Sequence, residues 1–241
     1  MKPLTITLLC GLCLQAADPF AGKWQANFAK SPTAAQPQIS KFAQDGEFLS
    51  NSNGDHSYRF KLDGLEYPAT SPLFDTAIWI RTSKLRYEHE TKKNGQTVYT
   101  VVTELAPDFQ TRTYRNTRKL DGAVVESIQD RAGGQFDPDN PLLGDWRLRL
   151  TMEWKPQGPD YHFHGGPVSY TARLDGQDYP VSGSTTVDTV CLKRLHANSI
   201  EITGKKGSQT VYTVTQTVSP DGKTLSSKSG TRGELVYDRL H

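Results

Sequence analysis

Lys92-Lys93-Asn94-Gly95-Gln96-Thr97-Val98-Tyr99-Thr100 recurs as Lys205-Lys206-Gly207-Ser208-Gln209-Thr210-Val211-Tyr212-Thr213. Upstream, Phe60-Lys61-Leu62-Asp63-Gly64-Leu65-Glu66-Tyr67-Pro68 recurs as Ala172-Arg173-Leu174-Asp175-Gly176-Gln177-Asp178-Tyr179-Pro180. Asp75-Thr76-Ala77 returns as Asp188-Thr189-Val190, and Pro107-Asp108 as Pro220-Asp221. The order is the same in both halves, so the chain holds an internal repeat. Each copy opens on Gly-x-Trp (Gly22-Lys23-Trp24; Gly144-Asp145-Trp146) and closes on Asp-Arg (Asp130-Arg131; Asp238-Arg239).

Within each copy the pattern is that of strands. Gln96 to Leu105 is rich in β-branched and aromatic residues. Trp24, Ala26 and Phe28 alternate with polar neighbours, as do Trp146, Leu148 and Leu150. Asp45-Gly46, Asn53-Gly54, Asp63-Gly64, Asn94-Gly95, Asp121-Gly122, Asp175-Gly176 and Asp221-Gly222 mark tight turns. No amphipathic run is long enough for a major helix. The expected fold is all-β: two tandem small antiparallel up-and-down barrels.

The start, Met1-Lys2 followed by an apolar run to Leu14 and by Gln15-Ala16-Ala17, reads as a secretory signal peptide. The expected organisation is a signal peptide at 1–17, a first unit at 18–131, a Gly/Pro linker at 132–138 and a second unit at 139–241. The expected location is secreted or periplasmic, with no transmembrane segment. After cleavage one cysteine remains, Cys191, in a strand pattern where it reads as a small packed hydrophobe. A formal charge of +2 gives no argument for nucleic acid as a partner, which calls for a concentrated basic surface.

Gly-x-Trp on the first strand and Arg on the last resemble the calycin superfamily, the lipocalins and their relatives. The resemblance implies that the Arg packs across the Trp and closes the barrel end, pairing Trp24 with Arg131 and Trp146 with Arg239. The chain also resembles a group of exported bacterial proteins with Gly-x-Trp, Asp-Gly-x-x-Tyr-Pro and Asp-Thr-Val motifs. Each copy is short for a lipocalin, and the other lipocalin motifs are not evident.

Candidate ligand contacts come in matched pairs. Arg81 and Arg194 follow strands whose alternate residues are apolar, Trp79 among them, so each would enter a lumen if that face points inward. By analogy with fatty-acid-binding relatives, an inward Arg would hold a carboxylate. Tyr99 and Tyr212 would add a large apolar body with a polar tip; plain core serves them as well. His162 and His164 share one strand face and are the weak candidates for a metal, with exposed strand-end histidines as the alternative. Asp63, Asp175, Asp75 and Asp188 read as turn formers. No catalytic signature, metal site or cofactor motif is legible. The leading expectation is an exported, non-catalytic binding protein for a small hydrophobic or amphipathic molecule. The alternatives are a structural or protein-binding envelope module with filled barrels, and an enzyme with a barrel-mouth site near His162 and His164.

Overall fold

The computed structural model describes residues 18–230 and 233–241; the expected signal peptide lies outside the described residues. Apart from a short 3₁₀ turn at Thr33–Ala35, the regular elements are strands. They form two closed antiparallel barrels. The first holds β2 (Ile39–Asp45), β3 (Phe48–Asn53), β4 (His56–Phe60), β5 (Asp63–Thr70), β6 (Thr76–Ser83), β7 (Arg86–Lys93), β8 (Gln96–Leu105), β9 (Thr111–Arg118), β10 (Val124–Gly133) and β11 (Gly144–Leu148). The second holds β1 (Gly22–Ala26), β12 (Thr151–Gln157), β13 (Asp160–Gly165), β14 (Val168–Arg173), β15 (Asp175–Ser182), β16 (Thr189–His196), β17 (Ser199–Lys206), β18 (Gln209–Val218), β19 (Thr224–Ser229) and β20 (Gly233–Leu240). Closure removes the free edges that an isolated sheet would expose. Among the described residues no helix is long and apolar enough to cross a membrane.

Membership of the barrels corrects the expected division of the chain. The opening strand β1 does not join the strands that follow it; it pairs with β12 and β20. The second Gly-x-Trp strand, β11, pairs with β10 and β2 and closes the first barrel. Barrel one is thus the continuous stretch 39–148, inserted between the first and second strands of barrel two. The segment 132–138 lies inside barrel one, between β10 and β11. The true crossings are residues 27–38 and the pair Arg149-Leu150. The second crossing is abrupt: Arg149 N–H donates to Ile128 O in barrel one, while Leu150 O accepts from Ala26 N–H in barrel two. Neither residue favours the positive φ of a two-residue hairpin, so the chain runs straight on from one barrel into the other. Arg149 is held by an ion pair to Asp130. Segment 27–38 is fastened to β20 by Asn27 Nδ2 donating to Asp238 Oδ2 (2.7 Å) and Val236 N–H donating to Ser31 Oγ (3.0 Å).

The expected Trp–Arg partners change accordingly. The Arg131 guanidinium lies 4.3 Å from the centre of the Trp146 ring, and Arg239 lies 4.1 Å from Trp24. The contact type is the expected one, but the partners are exchanged. Each Trp ring is fully buried, and each Arg stacks on it while donating to backbone carbonyls of the segment before the Gly-x-Trp. Arg131 donates to Pro141 O and Leu143 O, and Arg239 to Pro19 O and Ala21 O. Each indole N–H donates four residues back, Trp146 to Leu142 O and Trp24 to Phe20 O. One end of each barrel is therefore stoppered by its own short segment, with cation–π contacts on the rings.

The remaining repeat motifs are structural. Tyr67 donates to Asp63 Oδ2, and Tyr179 to Asp175 Oδ2, both at 2.7 Å. Gly64 and Gly176 take φ of +77° and +78° at matching bulges, a conformation open to glycine. Asp75 and Asp188 accept from Lys93 and Lys206 and from the backbone N–H of the following residue. Cys191 is a buried free cysteine, and burial pushes its thiol pKa up. It packs as the small hydrophobe expected.

Candidate functional site

Barrel one encloses a cavity of about 300 Å³. That volume lies at the lower end for small-molecule sites. The stopper of Arg131, Trp146 and residues 141–143 closes one end. Asn53, His56, Leu73, Phe74, Tyr99 and Asn116 lie toward the other. Phe74 stacks on His56 (5.5 Å between rings), and His56 Nδ1 is 2.6 Å from Ser71 Oγ. The hairpin pairing of β4 with β5 covers Ser57↔Thr70 and Tyr58↔Ala69. Beside it a shallow outer hollow shares Asn51 and Tyr58 with the lumen lining.

Period-two alternation along each strand sets the lining. On β6 and β7 it brings Trp79, His89 and Thr91 inward; on β8 and β9 it brings Val101, Thr103, Arg112, Tyr114 and Asn116. Arg112 is 2% exposed. Its Nε and Nη2 both donate to Gln129 Oε1 (2.8 and 2.6 Å), and Nη1 has no hydrogen-bond partner among the described residues. The guanidinium stacks over Phe42 (4.9 Å) and Trp146 (4.7 Å), so Trp146 carries Arg131 and Arg112 together. No Asp or Glu lines the cavity. Burial pushes the Arg112 pKa down to about 9, and Arg131 pushes the same way. Arginine's intrinsic basicity still keeps the group charged near neutral pH.

His89 stacks face to face on Trp79 at 4.0 Å. Burial holds its pKa down to about 3, with the Arg112 charge pushing the same way. The imidazole is therefore neutral and its Nδ1 unpartnered. Burial raises the phenol pKa values of Tyr58 and Tyr114, so both stay neutral. Asn53 Oδ1, Thr91 Oγ1, Thr103 Oγ1 and Asn116 Oδ1 are also buried without partners among the described residues, and Trp79 Nε1 faces the Tyr58 hydroxyl. All of these side chains line the one cavity. Buried polar atoms are ordinarily paired, so this concentration marks the lumen as the place where the fold leaves hydrogen-bonding capacity unspent.

Barrel two shows the same register with different chemistry. Leu105 pairs with Arg112 as Val218 pairs with Leu225, which puts Leu225 at the Arg112 position. By the same pairing Ile202 stands for His89, Tyr237 for Gln129, Phe163 for Asn51 and Gly204 for Thr91. The Tyr212 ring lies directly over Gly204, where a side chain would clash. Trp154, Phe163, Tyr170, Leu192, Ile202 and Leu225 pack in one apolar cluster. The buried Gln216 accepts from Trp154 Nε1 (3.1 Å) and donates to Met152 Sδ (3.6 Å).

The sequence-derived candidates divide. Trp79 and Tyr99 line the cavity. Tyr212 is about one-third exposed at the edge of barrel two. Arg81 and Arg194 do not enter a lumen, because each strand ends in a bulge there and the side chain turns back to the stopper. Arg81 donates to the carbonyls of Ser83, Lys84 and Asp139. Arg194 pairs with Asp18 (3.0 Å) and donates to Ala197 O and Tyr161 Oη. His162 and His164 do share a face, the one opposite inward Tyr161 and Phe163, and His162 Nδ1 is 2.8 Å from Thr171 Oγ1. No cluster of three or more metal-ligating side chains occurs among the described residues. Arg112, His89 and Thr103 were missed. The available signal was the replacement of Leu225, Ile202 and Gln216 by these residues at matching positions of the repeat.

Comparison with protein-family models, with curated proteins and with solved structures found no match.

Proposed function

We propose that this is an exported, lipocalin-like binding protein that holds one small amphipathic molecule in the lumen of barrel one. Barrel two serves as its apolar support. The observation that carries this reading is the unpaired cation Arg112 in a cavity of about 300 Å³, at a position where the sister barrel has Leu225. A charge buried without a counter-charge is costly to a fold. Its retention beside a copy that dispenses with it supports a role in binding rather than in stability. We read the role as binding rather than catalysis: the lumen presents a buried cation and a neutral His89, with no Asp or Glu among the lining residues. The reading of residues 1–17 as a signal peptide supports a secreted or periplasmic location. Barrel two, with Leu225, Ile202 and Phe163 at matching lumen positions and Gln216 hydrogen-bonded, suits the structural or protein-binding role instead.

Native mass spectrometry of the protein isolated from exporting cells, followed by organic extraction, tests this. The expected result is one small molecule per chain, lost in a double variant carrying barrel two's pair, Arg112→Leu with Gln129→Tyr. A bare mass, repeated after incubation with small organic acids and lipids, would leave the filled structural module as the better reading.

A further inference from the structure

The polarity of the lumen narrows the ligand, and this step rests on barrel one being the binding vessel. A purely apolar chain would leave His89 Nδ1, Thr91 Oγ1 and Thr103 Oγ1 unpaired; these residues are 8%, 3% and 1% exposed. Unpaired buried groups weigh heavily against such an occupant. The unpartnered set mixes kinds: Asn116 Oδ1 accepts, and the threonine hydroxyls both donate and accept. A ligand matching all of them must itself both donate and accept along its length, as hydroxyl groups do. At the stoppered end, Arg112 leaves Nη1 and one hydrogen of Nη2 for a carboxylate. The cavity of about 300 Å³ has room for roughly ten waters, at ~30 Å³ each, so the ligand is compact.

We infer that barrel one selects a compact hydroxylated carboxylic acid, its carboxylate on Arg112 and its hydroxyls on the threonine and histidine groups of β7 and β8. An alkyl acid is a poor match. Arg112 sets charge selectivity, and Thr91 and Thr103 set selectivity for hydroxyls over hydrogens.

Isothermal titration of the full chain with 3,4-dihydroxybenzoate, glucuronate, benzoate and laurate tests this. At least one hydroxylated acid is expected to bind one per chain, and laurate is expected to bind at least tenfold more weakly than it. If 3,4-dihydroxybenzoate binds, benzoate is also expected to be at least tenfold weaker. Arg112→Leu is expected to abolish binding of the hydroxylated acid. Thr91→Val with Thr103→Val keeps the cation and the side-chain shapes. That variant is expected to retain binding of carboxylates and to lose the preference for the hydroxylated one. Laurate binding as tightly as the hydroxylated acids, with Arg112 required, would overturn the hydroxyl selectivity while leaving the vessel intact. Binding of none of the four acids would overturn both.

Discussion

The two barrels share a register, a stopper and a set of turns, and they differ in what fills the middle. In barrel two, Leu225, Ile202, Phe163 and Tyr237 close the lumen with apolar packing, and the buried Gln216 has partners on both sides. In barrel one the matching positions hold Arg112, His89, Asn51 and Gln129. A closed β framework can evidently carry either interior, because backbone pairing and the stoppered end supply the architecture. The interior is then free to differ, and on the reading proposed above it serves stability in one copy and recognition in the other. Barrel two shows the same framework with a largely apolar interior. Each departure in barrel one can be set against that standard.

The largest expected effect separates the barrels by their tryptophans. Replacing either Trp146 or Trp24 by Ala removes a fully buried ring and its guanidinium contact, an expected loss of about 3–5 kcal/mol. Hydrogen exchange resolved by peptide is expected to show Trp146→Ala loosening residues 39–148 and Trp24→Ala loosening 151–240. Loosening in the opposite halves would restore the division read from sequence order.

A smaller contrast is acid sensitivity. His89 is neutral in the fold, with its pKa held down to about 3, while in the unfolded chain it titrates near 6.5. Between those values the unfolded state binds the extra proton, so stability falls as pH falls. The cost from this group is about 2 kcal/mol at pH 5 relative to neutral pH. Denaturant melts followed by exchange in barrel one are expected to show this acid branch, and His89→Ile, which copies Ile202, is expected to remove it. An unchanged branch in that variant would mean that the imidazole is not held neutral in the lumen.

Much of the framework was legible in the sequence because it is local. Asn-Gly and Asp-Gly turns, among them those at Asp63 and Asp175, and alternation along β8 and β18 each depend on residues a few positions apart. The route between barrels was not, because β1 and β11 carry the same Gly-x-Trp and each would suit either barrel. The clue lay in what separates them from the next strand. Arg149-Leu150 offers no turn residue between β11 and β12, whereas the next hairpins, β12–β13 and β13–β14, carry Gly158 and Gly166 at positive φ. The site was hidden for a different reason. Arg81 and Arg194 follow the right face of their strands, but a bulge at the strand end turns them onto the stopper. Arg112 sits between Thr111 and Thr113 in a polar-looking strand, and its inward direction becomes visible only through its pairing with Leu105.

The most direct test of the difference between the barrels is a map of amide chemical shifts in the full chain during titration with 3,4-dihydroxybenzoate. The expected result is a set of perturbations confined to barrel one and centred on β7, β8 and β9, with residues 151–240 unmoved. Perturbations centred on β17 to β19, or spread equally over both barrels, would contradict the assignment of recognition to one copy and support to the other.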